Sequence, residues 1–133
     1  MNKKSLDPAG HISLAVSNLE KSKKFYKNLF DQLGFKQIKD GTYSIAWVTK
    51  EGFGIWIRRA KQAKLPHKHF APGLHHLCLK AKTKKLVDEI YERMLTKKTV
   101  IFAEPKSYPE YTPKYYAVDF ADPDGIKIEV AYY

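Results

Sequence analysis

The chain has 133 residues, of which 44% are hydrophobic, 14% aromatic and 29% charged; this suits one domain with a sizeable core and excludes a disordered chain. Its net charge is +10 and its pI near 9.6, but the cations are overwhelmingly lysine, with arginine only at Arg58, Arg59 and Arg93. Base readout and bidentate phosphate binding are therefore disfavoured, leaving a solvated lysine surface or a positive field that attracts small anions. The single cysteine, Cys78, excludes an internal disulfide; the start runs from Lys3-Lys4 into Asp7-Pro8 without an apolar run, and no stretch approaches a membrane span of ~18 apolar residues, so a soluble cytoplasmic protein is expected.

From His11 the segment His-Ile-Ser-Leu-Ala-Val alternates, with Ile12, Leu14 and Val16 on one face and His11, Ser13 and Ala15 on the other, which predicts a strand. Ser17-Asn18-Leu19-Glu20 then matches a capping box. Leu19, Ser22, Phe25, Tyr26, Leu29 and Leu33 follow at helical spacing up to Gly34, predicting an amphipathic helix over about 18–33. Phe35–Ile38, Tyr43–Val48 and Gly54–Ile57 are short β-rich runs separated by the turn signals Asp40-Gly41 and Lys50-Glu51-Gly52. The first module, about 10–58, reads β-α-β-β-β.

A polar, proline-bearing linker at about 59–73 holds His67 and His69, for which solvent exposure is the default and contact with a substrate the alternative. Beyond it His76-Leu77-Cys78-Leu79-Lys80-Ala81 repeats the opening strand with an offset of 76 − 11 = 65 residues. Under that offset Ile12 falls on Leu77, Leu14 on Leu79, Phe25 on Ile90 and Leu29 on Met94, which internal duplication explains. The second helix is predicted from Lys84 to Lys97, with Thr83 as N-cap and Leu86, Val87, Ile90, Tyr91, Met94 and Leu95 as its buried stripe. Strands around Val100–Ala103, Tyr115–Phe120 and Lys127–Ala131 complete module two, about 74–133. The fold class is α+β: two tandem β-α-β-β-β modules forming a curved, mostly antiparallel sheet with the helices outside and a concave ligand face within.

Strand parity selects the side chains of that face. In the last strand Ile126, Ile128 and Val130 are helix-facing, leaving Lys127, Glu129 and Ala131 inward; in the strand after the linker, His76 and Cys78 share the inner face while His75 points away. Tyr116, Val118 and Phe120 pack outward, placing Tyr115 and Asp119 inward. Two imidazoles, His11 and His76, with the carboxylate of Glu129 form a three-ligand set with open positions, which suits Fe, Mn, Zn, Ni or Co as divalent ions. The plainer alternatives are hydrogen-bonded core histidines and a glutamate in an ion pair. Asp119 is either a general base or the partner of a lysine, Tyr115 a substrate-binding group, and Cys78 a small hydrophobe at the pocket. Trp56, Trp47 and Phe53 form an apolar pocket wall or core packing.

The opening strand, the second His76 and the ending Phe120-Ala121-Asp122-Pro123-Asp124-Gly125-Ile126-Lys127-Ile128-Glu129 together resemble the vicinal oxygen chelate superfamily, which includes glyoxalase I, extradiol dioxygenases, fosfomycin-resistance enzymes and bleomycin-binding proteins. The resemblance covers about Gly10 to Val130. It implies ligand positions at His11, Trp56, His76 and Glu129, and Trp56 stands where a four-ligand glyoxalase I has a carboxylate, so classical glyoxalase I activity is not expected. It also implies a divalent metal, a small substrate chelating that metal through adjacent oxygens in lyase, dioxygenase or transferase chemistry, and a homodimer in which modules are sometimes exchanged. The alternative is a metal-free, drug-sequestering protein of the bleomycin-resistance type. No membrane partner is implied. Asp122-Pro123-Asp124-Gly125 is expected to form a tight turn that presets the register aiming Glu129 inward.

Overall fold

The computed structural model describes residues 8–133 and divides into two compact units, Met1–Lys64 and Leu65–Tyr133. In the first unit, β1 (His11–Val16) leads into α1 (Leu19–Leu33), followed by β2 (Lys36–Asp40), β3 (Ser44–Val48) and β4 (Gly54–Arg59). In the second, β5 (Leu77–Lys80) leads into α2 (Lys84–Thr96), then β6 (Ile101–Ser107), β7 (Tyr116–Ala121) and β8 (Lys127–Tyr132). Each unit is the expected β-α-β-β-β module, and each builds a four-stranded mixed sheet, in the orders β1-β4-β3-β2 and β5-β8-β7-β6.

The strand before each helix pairs in parallel with the last strand of its own module, and the other pairs are antiparallel. Two parallel strands cannot be joined by a tight turn, so a crossover must intervene, and here it carries the helix and two further strands.

The termini of α1 follow local chemistry. Asn18, rather than Ser17, is the N-cap: its side chain accepts from the Lys21 amide, which moves the expected capping box by one residue. At the other end Gly34 adopts φ 84° and Phe35 donates its amide to Phe30 O at 2.9 Å. The Phe35 ring stacks on Phe30 at 4.8 Å. This is a Schellman closure with its accompanying apolar contact, and it takes Phe35 out of the strand in which the pattern had put it. Thr83 caps α2 as expected, accepting from Leu86 N at 3.0 Å.

Tyr26, Leu29 and Phe30 from α1 are buried with Ile45, Trp47, Ile55 and Ile57; Val87, Ile90 and Met94 from α2 are buried, as are Val118, Phe120, Ile128 and Val130. Each such side chain contributes roughly 1.5–3 kcal/mol through burial. Leu95, expected in the α2 stripe, is instead 44% exposed, because it lies beside the face rather than on it. Strand β6 runs past its expected end, through Pro105, and tolerates that proline because it is an edge strand with a register shift between Ala103 and Lys106. No helix among the described residues is long and apolar enough to cross a membrane.

The turn between β7 and β8 is held by one buried carboxylate. Asp122 Oδ1 accepts from the amides of Asp124 and Ile126, both at 2.8 Å, while Gly125 supplies φ +81°. Asp122 N donates to Ile126 O at 2.8 Å, closing the turn and fixing the register that follows. Asp122→Ala strands two amides and is expected to lower the unfolding free energy by about 2 kcal/mol, with Asp122→Asn losing less because it keeps the acceptor. Urea unfolding of the three proteins measures both.

Candidate functional site

On the face of the second sheet turned away from α2, the register places Cys78 opposite Glu129, and Glu129 opposite Asp119. Three strands thus contribute one row. His76 immediately precedes β5 with the same parity as Cys78, and its Nε2 lies 3.7 Å from Glu129 Oε1. Tyr115, just before β7, donates its hydroxyl to Glu129 Oε2 at 2.5 Å, and the Cys78 thiol donates to the same oxygen at 3.5 Å. The structure therefore brings His76, Cys78, Tyr115, Asp119 and Glu129 together around one carboxylate.

The protonation states follow from these contacts. Burial and the hydrogen bond to Glu129 hold the Tyr115 phenol far above its ordinary range, so it remains a neutral donor. Burial, reinforced by the charge of Glu129, pushes the Cys78 thiol up to about 12, which makes it a poor nucleophile although the residue is exposed overall. Asp119 is raised chiefly by burial, with Lys127, 3.4 Å away, opposing the shift. The second oxygen of Asp119, Oδ1, is buried without a hydrogen-bond partner. Asp119 thus has a lysine partner on one oxygen and none on the other.

Three features lay outside the pattern reading. His75 does not simply point away: its Nδ1 is 2.7 Å from Nδ1 of His76, so one ring donates and the other accepts. His69, expected in solvent, is half-buried, with its ring centroid 4.4 Å from that of His75 and its Nδ1 buried without a partner; His67 Nε2 is buried likewise. Beyond Glu129, Tyr133 continues the same parity and stacks on Tyr115 at 4.9 Å, while Lys80, two residues after Cys78, places its ammonium 4.1 Å from the centre of the Tyr133 ring. Extending the alternation by one step along each strand finds Tyr133 and Lys80; no alternation finds a contact between adjacent histidines.

In the first unit, His11 is exposed on β1 and pairs with Gly54, and Trp56 pairs with Ser13. The offset of the repeat maps Ser13 onto Cys78, whose partner is Glu129, so the two registers put Trp56 at the position that Glu129 occupies in the second module. Trp47 is fully buried, its ring 5.1 Å from Phe30 of α1. It shares a face with Ile55 and Ile57, opposite to Trp56, so of its two readings, pocket wall and core packing, Trp47 takes the second. Phe53 lies in the turn before β4, half-buried, with its amide bonded to Thr49 Oγ1. Among the described residues no three His, Cys, Asp or Glu side chains are gathered in metal-ligating geometry.

A family model described as the glyoxalase/bleomycin resistance protein/dioxygenase superfamily matches residues 9–130. An uncharacterized protein of Bacillus subtilis (strain 168), YqjT, is 34% identical over 122 residues, covering 90% of this chain and 94% of that one. A putative glyoxalase from Bacillus halodurans shares the fold with a TM-score of 0.82 at 21% identity, covering 96% of this chain and 97% of that chain. A glyoxalase/bleomycin resistance protein from Albidiferax ferrireducens T118 does so with a TM-score of 0.78 at 21% identity, covering 93% and 98%. The duplicated module, its registers and the family match agree: the chain belongs to the glyoxalase/bleomycin resistance protein/dioxygenase superfamily.

Proposed function

We propose that the protein is a metal-dependent enzyme of this superfamily, acting on a small substrate that chelates a divalent ion through adjacent oxygens, with His76 and Glu129 among the ligands. One observation carries the reading. His76 Nε2 and Glu129 Oε1 face each other at 3.7 Å, while the remaining atom of each group is held elsewhere, His76 Nδ1 by His75 at 2.7 Å and Glu129 Oε2 by Tyr115 at 2.5 Å. Two donors that each bond an ion at about 2.0–2.2 Å stand roughly 3–4 Å apart, so this pair fits. His11 enters as the third ligand from its place in the sequence motif, not from geometry. The bound ion would act as a Lewis acid on the chelating oxygens.

The protein's own groups have separable tasks. Tyr115, kept protonated, donates its one hydroxyl proton to Glu129 and so orients that carboxylate. Asp119, with a buried unused oxygen and a raised pKa, is the group best placed to accept a proton. His75 holds the ring orientation of His76, as outer-shell partners of metal-bound imidazoles do. Trp56, at the position corresponding to Glu129, leaves the first module without a carboxylate there, which argues against classical glyoxalase I isomerisation.

A second reading has an observation of its own: the hydrogen bonds from Tyr115 and Cys78 hold Glu129 through Oε2 without any ion, as a metal-free ligand-binding member of the superfamily would require. Metal analysis of protein produced without a histidine tag separates the two. About one equivalent of divalent ion, lost in His76→Ala and Glu129→Gln and bound about tenfold more weakly in His75→Ala, is expected. Parent protein that takes up none of Fe, Mn, Zn, Ni or Co would leave only the binding reading.

The raised pKa of Asp119 also has a thermodynamic consequence. A carboxyl raised in the folded state favours the protonated form on folding, so it detracts from stability as pH rises through the range between its unfolded and folded values. In chelator-treated protein Asp119→Asn is therefore expected to raise the melting temperature at neutral pH and to lose that advantage in acid, below the carboxylate range. An Asn variant that melts lower than the parent at neutral pH would show that the Lys127 ion pair dominates.

A further inference from the structure

We infer that the face of the first sheet turned away from α1 binds a small organic carboxylate, with the anion held by the Arg58 guanidinium and the apolar body lying on Trp56. The cross-strand registers lay that face out in rows. His11, Gly54, Val48 and Lys36 form one; Ser13, Trp56, Ala46 and Lys39 the next; Ala15, Arg58 and Ser44 the third. Apart from His11, Trp56 and Val48, the uncharged positions are Gly54, Ser13, Ala15, Ala46 and Ser44, all small; Gly54 and Ala46 are buried, whereas Ser13 and Ala15 are exposed beside the exposed Arg58, so the open side of the indole is the one toward the guanidinium.

Gly54 shows that the arrangement is specific to its residues. A Cβ there would lie 3.2 Å from the His11 Cβ, tighter than an ordinary contact, and in plain contact with Trp56 Nε1 at 3.6 Å, so glycine is what leaves His11 its place on the neighbouring strand.

The charge on these rows is of one sign. Arg58 Nε donates to Ser13 Oγ at 2.7 Å, which orients the guanidinium along the sheet, and Arg58 makes no ion pair among the described residues. Lys39 holds its ammonium 5.4 Å from the centre of the Trp56 ring. No acidic side chain occupies these rows. The planar fork of arginine matches a carboxylate and is held by only one of its nitrogens here, leaving the terminal pair for a bidentate contact. A neutral ligand would leave the three cations Arg58, Lys39 and Lys36 unanswered; a small inorganic anion would leave the indole unused.

The inference rests on the first unit alone and holds with or without a bound metal, so it is tested on chelator-treated protein, apart from the metal reading. The indole Nε1–H resonance of Trp56, assigned by its loss in Trp56→Phe, and the Nε–H resonance of Arg58 are followed by NMR while sodium benzoate, benzamide and sodium acetate are added in separate titrations. Benzoate is expected to shift both resonances saturably, with benzamide and acetate each at least about tenfold weaker. Arg58→Gln should weaken benzoate by at least about tenfold and Arg58→Lys by less, with the buried Trp47 indole resonance unchanged as the check that each variant is folded. Absence of a saturable shift with benzoate, equal binding of benzamide or acetate, or an Arg58→Gln protein that is folded and binds as the parent does would each overturn the inference.

Discussion

The parallel pairing of β5 with β8 is the constraint on which the candidate site depends, because it sets Cys78 directly opposite Glu129. A parallel neighbour cannot be reached through a hairpin, so the chain must pass through α2, β6 and β7 before β8 can lie beside β5. That detour has a chemical result. It puts β7 on the other side of β8, so that Asp119 becomes the second neighbour of Glu129, and the carboxylate lies between a thiol and a second carboxylate. The turn at Asp122 then fixes which residue of β8 meets Asp119: a slip of one residue would send Glu129 to the helix side and bring Ile128 out.

Once Glu129 is in that row, its surroundings follow from electrostatics. A half-buried carboxylate raises the proton affinity of every acid beside it, and Cys78, Tyr115 and Asp119 are all shifted upward, with burial the larger cause in each. Cys78 and Tyr115 thus stay protonated donors to Glu129 Oε2, which keeps that carboxylate oriented. Lys127 answers Asp119 instead of Glu129, because both sit at the β8–β7 turn end of the sheet, and this leaves Glu129 Oε1 facing His76.

Much of this was legible in the sequence, since period-two alternation decides faces wherever one face is packed against a helix. Val118, Phe120, Ile128 and Val130 are fully buried, so Asp119 and Glu129 had to lie on the other face. Alternation fails where its premise fails. For Trp47 aromatic character leaves pocket wall and core packing both open, whereas its parity with Ile45 decides for the α1 side. Strand ends moved wherever a hydrogen bond outcompeted propensity, as when Phe35 closed the Schellman motif rather than starting β2. The contact between His75 and His76 was beyond reach for a different reason. Adjacent residues point apart in a regular strand, and these two meet because β5 begins only at Leu77, leaving the preceding backbone free of the pleat.

The two modules share a register yet carry opposite chemistry, and the register shows how little change this takes. At corresponding positions the second sheet holds Cys78 and Glu129 where the first holds Ser13 and Trp56, and Lys80 and Ala131 where the first holds Ala15 and Arg58. Apart from the buried alanines Ala46, Ala117 and Ala131, side chains on this face lie outside the helix-packed core, so substitutions among its exposed positions leave that core untouched. A duplicated scaffold therefore gains two faces whose charge can diverge independently. Here one face gathers carboxylates and protonated donors around an imidazole, while the other gathers three cations and an indole among small residues. The hydrophobic positions that superimpose between the modules conserve the architecture, and the polar positions that do not superimpose carry the specificity.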